Sequence, residues 1–193
     1  MSDRKPILHE TPSQTAGPYV HVGLVPSHEN INRSGKADFG VGPVPAGNGP
    51  PIIVTGRLID GAGAPITDAV VELWQADTDG IYRQGFGRSA CDADGRYRFD
   101  TVKPGRIPGQ DGSSAAPHLT LWIVARGINI GLHTRLYFGD EAEANATDPV
   151  LAQIADPARR ATLIASPSDA GGKFRYSLDI RLQGAGETVF FDI

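Results

Sequence analysis

Apolar residues recur in short runs along this chain, and most of these runs alternate with polar residues at every second position. Residues 51–60 and 66–77 form two such runs around the turn sequence GAGAP, and residues 87–105 repeat the arrangement around Asp94-Gly95. Alternation with a period of two, bounded by glycine and proline, is typical of β-strands joined by tight turns. We therefore expect two successive hairpins that form an antiparallel meander.

Further runs extend this pattern towards the C-terminus. Residues 116–128 are strongly apolar and indicate a central strand, whereas residues 132–138 and 173–183 alternate, and residues 187–193 close the chain. Because 24 Gly and 15 Pro are distributed among these runs, helix is expected to be the minor element. The pattern predicts an all-β fold, either a sandwich or a barrel.

The segments between the runs differ in composition. Residues 139–165 contain Asp148-Pro149 and Asp156-Pro157, the order of N-cap and first helical residue, and this predicts a short helical insertion. Residues 105–116 are rich in Gly, Ser and Ala and indicate a mobile loop, and the polar residues 26–49 indicate a long loop or covering arm. We divide the chain into an N-terminal arm, residues 1–50, and one β domain, residues 51–193.

Composition narrows the classes of partner. With 18 basic and 22 acidic residues the formal net charge is −4, which argues against nucleic acid or an anionic membrane as the main partner. The single cysteine, Cys91, excludes an intrachain disulfide and fits a reducing compartment. There is no apolar run of the ~20 residues that a membrane span requires, so we expect a cytoplasmic protein that binds small molecules or other proteins.

The run at residues 116–121, APHLTL, carries the most informative chemistry. Side chains alternate across a strand, so His118 and Thr120 share one face and could both reach a single ligand. A threonine hydroxyl is a poor substitute for an imidazole at a transition metal, so this strand offers one metal ligand at most. A lone histidine on an apolar strand is more often a hydrogen-bonded core residue than a ligand.

Other candidates are undiagnostic on their own. Tyr82 carries no pattern that specifies a role, and Tyr97 is most simply a core residue with its hydroxyl satisfied at the rim. His133 and Arg135 share a strand face, which would suit a metal or anion site. No second source of ligands is evident, so an interface or a core hydrogen-bond network is the preferred interpretation.

Several separated motifs occur together in one order along nearly the whole chain, and the chain resembles the intradiol ring-cleavage dioxygenases in all of them. The resemblance implies an antiparallel β-sandwich with a transthyretin-like (prealbumin-like) core, long loops and short helices. The motifs are ETPSQTAGPY (10–19), VELWQAD (71–77), DGRYRF (94–99), TVKPG (101–105), APH (116–118), ARGINI (125–130), LHTRLYF (132–138) and GETVFFDI (186–193).

The resemblance also implies that this chain is a non-catalytic α-type subunit. Catalytic members hold a ferric ion with two tyrosines and two histidines, and Tyr82 and His118 match one of each. The other two positions hold Ile107 and Thr120. Two of the four protein ligands are therefore absent, so Fe³⁺ is expected in a catalytic β subunit and not in this chain.

A non-catalytic subunit of this kind contributes side chains to its partner's active site. By resemblance these are Thr15, Gly17 and Pro18 from the arm, and Arg126, whose guanidinium suits the carboxylate of 3,4-dihydroxybenzoate (protocatechuate). The implied partners are the β subunit, protocatechuate, O₂ and a higher αβ oligomer. The implied activity is ring cleavage in aromatic catabolism, in the β-ketoadipate pathway, and no role with nucleic acid or membranes is expected.

Two alternatives are compatible with parts of the sequence. The hairpin pattern of residues 56–73 followed by 92–105 also occurs in transthyretin-like binding or adhesion modules, although such a module would not need the remaining motifs. A self-sufficient iron enzyme is the other alternative, and it would have to recruit Tyr97 or His133 as a replacement ligand.

Overall fold

The computed structural model describes residues 14–17, 19–31, 35, 38–109 and 112–192. Over these residues the chain forms eleven β-strands and three short α-helices, with one 3₁₀ turn at Leu151–Gln153. The helices are α1 (Val20–Leu24), α2 (Ala142–Ala146) and α3 (Pro157–Ala161). The strands are β1 (Pro51–Ile59), β2 (Val70–Gln75), β3 (Gly85–Ala90), β4 (Arg96–Val102), β5 (Ile107–Pro108), β6 (Ser114–Ala115), β7 (His118–Val124), β8 (Leu132–Phe138), β9 (Ile164–Asp169), β10 (Phe174–Ser177) and β11 (Ile180–Arg181).

Nine of these strands form one continuous sheet. β4 pairs with one edge of β1, and β10 and β11 follow one another along its other edge; the path then runs through β9, β8, β7 and β2 to β3. The two ends approach each other, since the Arg98 N–H of β4 donates to Ser89 Oγ of β3 at 3.1 Å. β5 and β6 form a separate small hairpin. The all-β class with few short helices is confirmed, and the sheet is more like a barrel than a simple sandwich.

The expectation of purely antiparallel pairing was wrong. β1 pairs in parallel with both β10 and β11, and β8 pairs in parallel with β9. Parallel neighbours need a long crossover connection, and the helical segment between β8 and β9 supplies one. β9 also joins the two halves of the sheet, because Ile164 and Ala165 pair with β8 while the following residues pair with β10.

The predicted first hairpin was also wrong, although its two strands exist. β1 and β2 do not pair with each other: β1 pairs with β4, β10 and β11, and β2 pairs with β3 and β7. The isolated bridge from Ile59 reaches Pro65, which precedes β2. The second hairpin was wrong in the same way, because β3 pairs with β2 and β4 pairs with β1. The tight turn between them is present: the Asp92 N–H donates to the Arg96 carbonyl at 3.0 Å, and Gly95 has a φ of 71°, a left-handed backbone that glycine adopts without strain.

The segment 139–165 contains α2, the 3₁₀ turn at Leu151–Gln153 and α3, which are separated by non-helical residues. The Asp156 carboxylate accepts from the Ala158 N–H at the start of α3, as expected for an N-cap. Asp148 caps the 3₁₀ turn by accepting from the Val150 and Leu151 N–H groups, both at 2.9 Å. Among the described residues, no helix is both long enough and apolar enough to cross a membrane.

The core lies between the two halves of the sheet, under the inner face of β7. Leu119, Leu121 and Ile123 are completely buried there, as their alternation predicted. Part of the arm covers this core: Val44 and Ala46 are buried in it, and the Val44 N–H donates to the Asp100 carbonyl at 2.9 Å. A second, smaller core beneath the helices contains Ala116, Tyr137, Ala144, Leu151 and Leu163.

Candidate functional site

The outer face of β7 carries the residues that resemblance associates with the ferric site. Thr120 lies between Trp74 of β2 and Arg135 of β8, and His118 lies opposite Tyr137. Thr120 and Trp122 are partly exposed, whereas Leu119, Leu121 and Ile123 on the other face are buried. His118 and Thr120 therefore share a face, as the strand pattern predicted.

His118 is almost completely buried and firmly oriented. Its Nδ1 lies 2.8 Å from the Ala116 carbonyl, so in the neutral ring Nδ1–H donates to that carbonyl and Nε2 keeps its lone pair. Its ring lies 5.4 Å from that of Tyr137, measured between centroids. Burial, followed by the positive charge of Arg135, lowers the pKa of His118 to about 4.

A buried carboxylate holds this corner of the fold together, and sequence reasoning missed its role. Asp148 is completely buried and, besides capping the 3₁₀ turn, accepts from the Ala116 N–H at 2.8 Å and from the Tyr137 hydroxyl at 3.2 Å. Arg135 also donates to the Tyr137 hydroxyl at 3.2 Å. Burial raises the pKa of Tyr137 well above its usual range, so this phenol stays protonated at neutral pH.

The other two positions associated with the ferric ion are Tyr82, in the loop between β2 and β3, and Ile107, at the start of β5. Tyr82 is 47% exposed and lies in a loop that Asp77 organises, since its carboxylate accepts from the Asp79 and Ile81 N–H groups at 3.0 Å. This loop packs against the backbone at Ile107, because a Cβ on Gly80 would lie 3.5 Å from the Ile107 Cα.

These residues do not fit a ferric ion. Ile107 has no donor atom and Thr120 offers only a neutral hydroxyl, which leaves Tyr82 and His118 as donors. The guanidinium of Arg135 stands next to them and disfavours a further positive charge. Within the part of the chain that the structure describes, no group of three His, Cys, Asp or Glu side chains could hold a metal ion.

The two replacement ligands considered for a self-sufficient iron enzyme lie away from His118. Tyr97 is completely buried in the core, where its hydroxyl donates to the Leu178 carbonyl at 2.7 Å. The His133 ring packs near that of Trp122, with centroids 6.3 Å apart, and its backbone carbonyl accepts from the Phe191 N–H. Neither residue is arranged as a ligand beside His118.

A second group of predicted site residues lies at the far end of β7. The chain turns over residues 125–128, with Gly127 at φ 84° and the Ile128 N–H donating to the Ala125 carbonyl at 3.3 Å. Gly127 N–H also donates to Thr15 Oγ1 at 2.7 Å. The structure therefore brings the Thr15 segment of the arm against the turn that carries Arg126.

Arg126 is held by a partner that sequence reasoning missed. Its Nε donates to Oδ2 of Asp68, while the arginine side chain stays 60% exposed. Gly17 is exposed two residues beyond Thr15, and Pro18 lies outside the described residues. A cavity of about 400 Å³ opens beside Arg126, and its walls include Ile66, Ile128 and Leu182.

Comparison with known proteins identifies the family. The dioxygenase family matches residues 30–184. The fold is also that of the dioxygenase domain of a dioxygenase–carbohydrate-binding protein fusion from Streptomyces sp. SirexAA-E, with a TM-score of 0.57 at 27% identity over 78% of this chain and 88% of that one. The chain belongs to the dioxygenase family, in its intradiol branch.

Two relatives are similar over much longer stretches. The protocatechuate 3,4-dioxygenase alpha chain of Pseudomonas putida is 46% identical, covering 96% of this chain and 98% of that protein. The protocatechuate 3,4-dioxygenase beta chain of Burkholderia cepacia is 34% identical, covering 71% of this chain and 66% of that protein. A family match of this length does not support the alternative of a free transthyretin-like module.

Proposed function

We propose that this chain is the non-catalytic α subunit of a protocatechuate 3,4-dioxygenase and that it acts only in complex with a catalytic β subunit. The observation that carries the proposal is the donor set around His118. Two of its four positions, Ile107 and Thr120, cannot replace anionic or imidazole ligands, and Arg135 adds positive charge.

In this proposal the β subunit holds the ferric ion of the family, which supplies Lewis acidity towards the catechol oxygens. The complex adds both atoms of O₂ to 3,4-dihydroxybenzoate and breaks the bond between the two hydroxylated carbons. The product is 3-carboxy-cis,cis-muconate. The present chain contributes orientation and shape, so its share of the rate enhancement is positional.

Arg126 is the residue that we assign to the substrate carboxylate. A guanidinium is permanently charged and forked, and its exposed fraction of 60% leaves it accessible to a group on another chain. Thr15, Gly17 and Pro18 approach the same partner site from the arm, and the bond from Gly127 to Thr15 supports a shared location for the two segments. Residues 1–50 accordingly contact the β subunit, in a higher αβ oligomer that we place in the cytoplasm.

Co-expression tests this function. The chain is produced alone and together with a protocatechuate dioxygenase β chain, and each preparation is analysed for iron, for colour and for cleavage of protocatechuate. We expect a colourless, inactive chain on its own and an iron-containing, active complex. A lone chain with stoichiometric iron and the colour of tyrosinate-to-iron charge transfer would contradict the proposal, as would failure to bind a β chain.

A further inference from the structure

Asp68 and Arg126 face each other across the end of a strand pair. The last paired residues of β2 and β7 are Val70 and Val124, and Asp68 and Arg126 lie two residues beyond them on either side. Antiparallel register keeps such residues opposite one another and on the same face. The contact between Arg126 Nε and Asp68 Oδ2 therefore lies just beyond the paired strands, where the bend before β2 faces the turn after β7.

Both ends of this contact are anchored in the backbone. On the Asp68 side, the neighbouring Ala69 is completely buried and its carbonyl accepts from the Cys91 N–H at 2.9 Å. On the Arg126 side, the turn is closed by its own hydrogen bond and by Thr15. The Asp68 side chain is only 22% exposed, so the carboxylate is the fixed member of the pair and the guanidinium the exposed one.

The geometry leaves part of the guanidinium for a second acceptor. Arginine has five N–H donors in a plane, and the contact with Asp68 uses Nε. The two terminal nitrogens keep their donors, and together they can bind a second carboxylate end-on in a bidentate manner. An arginine fixed at Nε loses less side-chain freedom when it binds a ligand than a free arginine would.

We propose that Asp68 is a positioning residue that selects catechols bearing a carboxylate, by holding Arg126 towards the substrate of the β subunit. The inference rests on the proposed function and deepens it. The Asp68 charge by itself weakens attraction to a substrate carboxylate, so any gain has to come from orientation. Orientation and charge can be separated, because asparagine keeps an acceptor for Nε–H without the charge.

The test uses the purified αβ complex with Asp68→Ala, Asp68→Asn and Arg126→Ala in this chain. Steady-state cleavage is measured with protocatechuate and with catechol, which lacks the carboxylate, and anaerobic calorimetry measures binding of 4-hydroxybenzoate and phenol. We expect Asp68→Ala to raise the KM for protocatechuate on the order of tenfold and to weaken 4-hydroxybenzoate binding similarly, with little change in kcat or towards catechol and phenol. Asp68→Asn should restore most of this loss.

Asp100→Ala is a matched control, because it removes another Asp–Arg pair, with Arg98, on β4. It should behave like wild type with both substrates. Equal effects of Asp68→Ala on both substrates, no effect on either, or an asparagine variant as weak as the alanine variant would overturn the role of Asp68. If Arg126→Ala also affects protocatechuate and catechol alike, the assigned role of Arg126 fails as well. If Arg126→Ala weakens activity towards protocatechuate alone and Asp68→Ala does not, only the role of Asp68 is rejected.

Discussion

Replacing His118 by asparagine should make the chain less sensitive to acid. In the folded chain the pKa of His118 is lowered to about 4 from its ordinary value of 6.5, because the ring is buried and faces Arg135. The unfolded chain therefore binds more protons between these two values, and acidification through this window favours unfolding. One unit of pKa difference corresponds to about 1.4 kcal/mol, so the difference between the unfolded and folded pKa values corresponds to ~3 kcal/mol of unfolding free energy. This contribution is present above pH 6.5 and lost by pH 4.

Asparagine is the informative substitution, because its amide can still donate to the Ala116 carbonyl but does not titrate. Urea unfolding is followed by tryptophan fluorescence from pH 7.5 to pH 4. The variant will be less stable at pH 7.5, since it leaves space next to Tyr137, but it should lose ~3 kcal/mol less than wild type on acidification. His28→Asn is the matched His-to-Asn control at an exposed position, measured over the same pH range. An unaltered pH dependence in His118→Asn would refute the reasoning.

Two further predictions concern residues that are buried in the core. Burial raises the pKa of the Cys91 thiol to about 12, so a disulfide reagent at pH 8 should label the native chain only at the rate of unfolding; rapid labelling would contradict the buried position. Tyr97→Phe should lower the unfolding free energy by about 1–2 kcal/mol, because the Leu178 carbonyl loses its buried donor. Tyr82→Phe is its control in the same denaturation assay, since the Tyr82 ring is half exposed, and equal effects of the two variants would count against the Tyr97 bond.

The sequence predicted individual strands better than their partners. Alternation in residues 118–124 identified the faces of β7 correctly, because burial on one face imposes a period of two. It could not show that β1 pairs with β4, β10 and β11 instead of β2, since pairing depends on contacts far apart in the chain. The small hairpin of β5 and β6 fell in the segment that we expected to be a mobile loop.

β9 illustrates the same limit. The strand has six residues, half of which are Ser or Asp, and it begins where the helical insertion was expected to end. Only its neighbours on both sides, β8 and β10, make it a strand. Local propensity carries little information in such a segment, because tertiary pairing decides its conformation.

At the candidate site, the sequence indicated individual side chains but not the contacts between them. Motif positions identified Arg126 and Thr15, but not the Asp68 contact, which arises from the register at the end of β2 and β7. Asp148 was expected to be a helix cap, and its additional bonds to Ala116 and Tyr137 appear only once three segments meet. Polar partners that are remote in sequence leave no periodic signal.

The position of Arg135 bears on what ferric binding by this chain would require. Restoring a tyrosine at Ile107 and a histidine at Thr120 would rebuild the donor atoms, yet the guanidinium would remain opposite residue 120 in the strand register. Its charge acts on His118 already. Under the proposed function, ferric binding by this chain would therefore require coordinated changes at three positions, Ile107, Thr120 and Arg135, which makes a division of labour between the two subunits difficult to reverse.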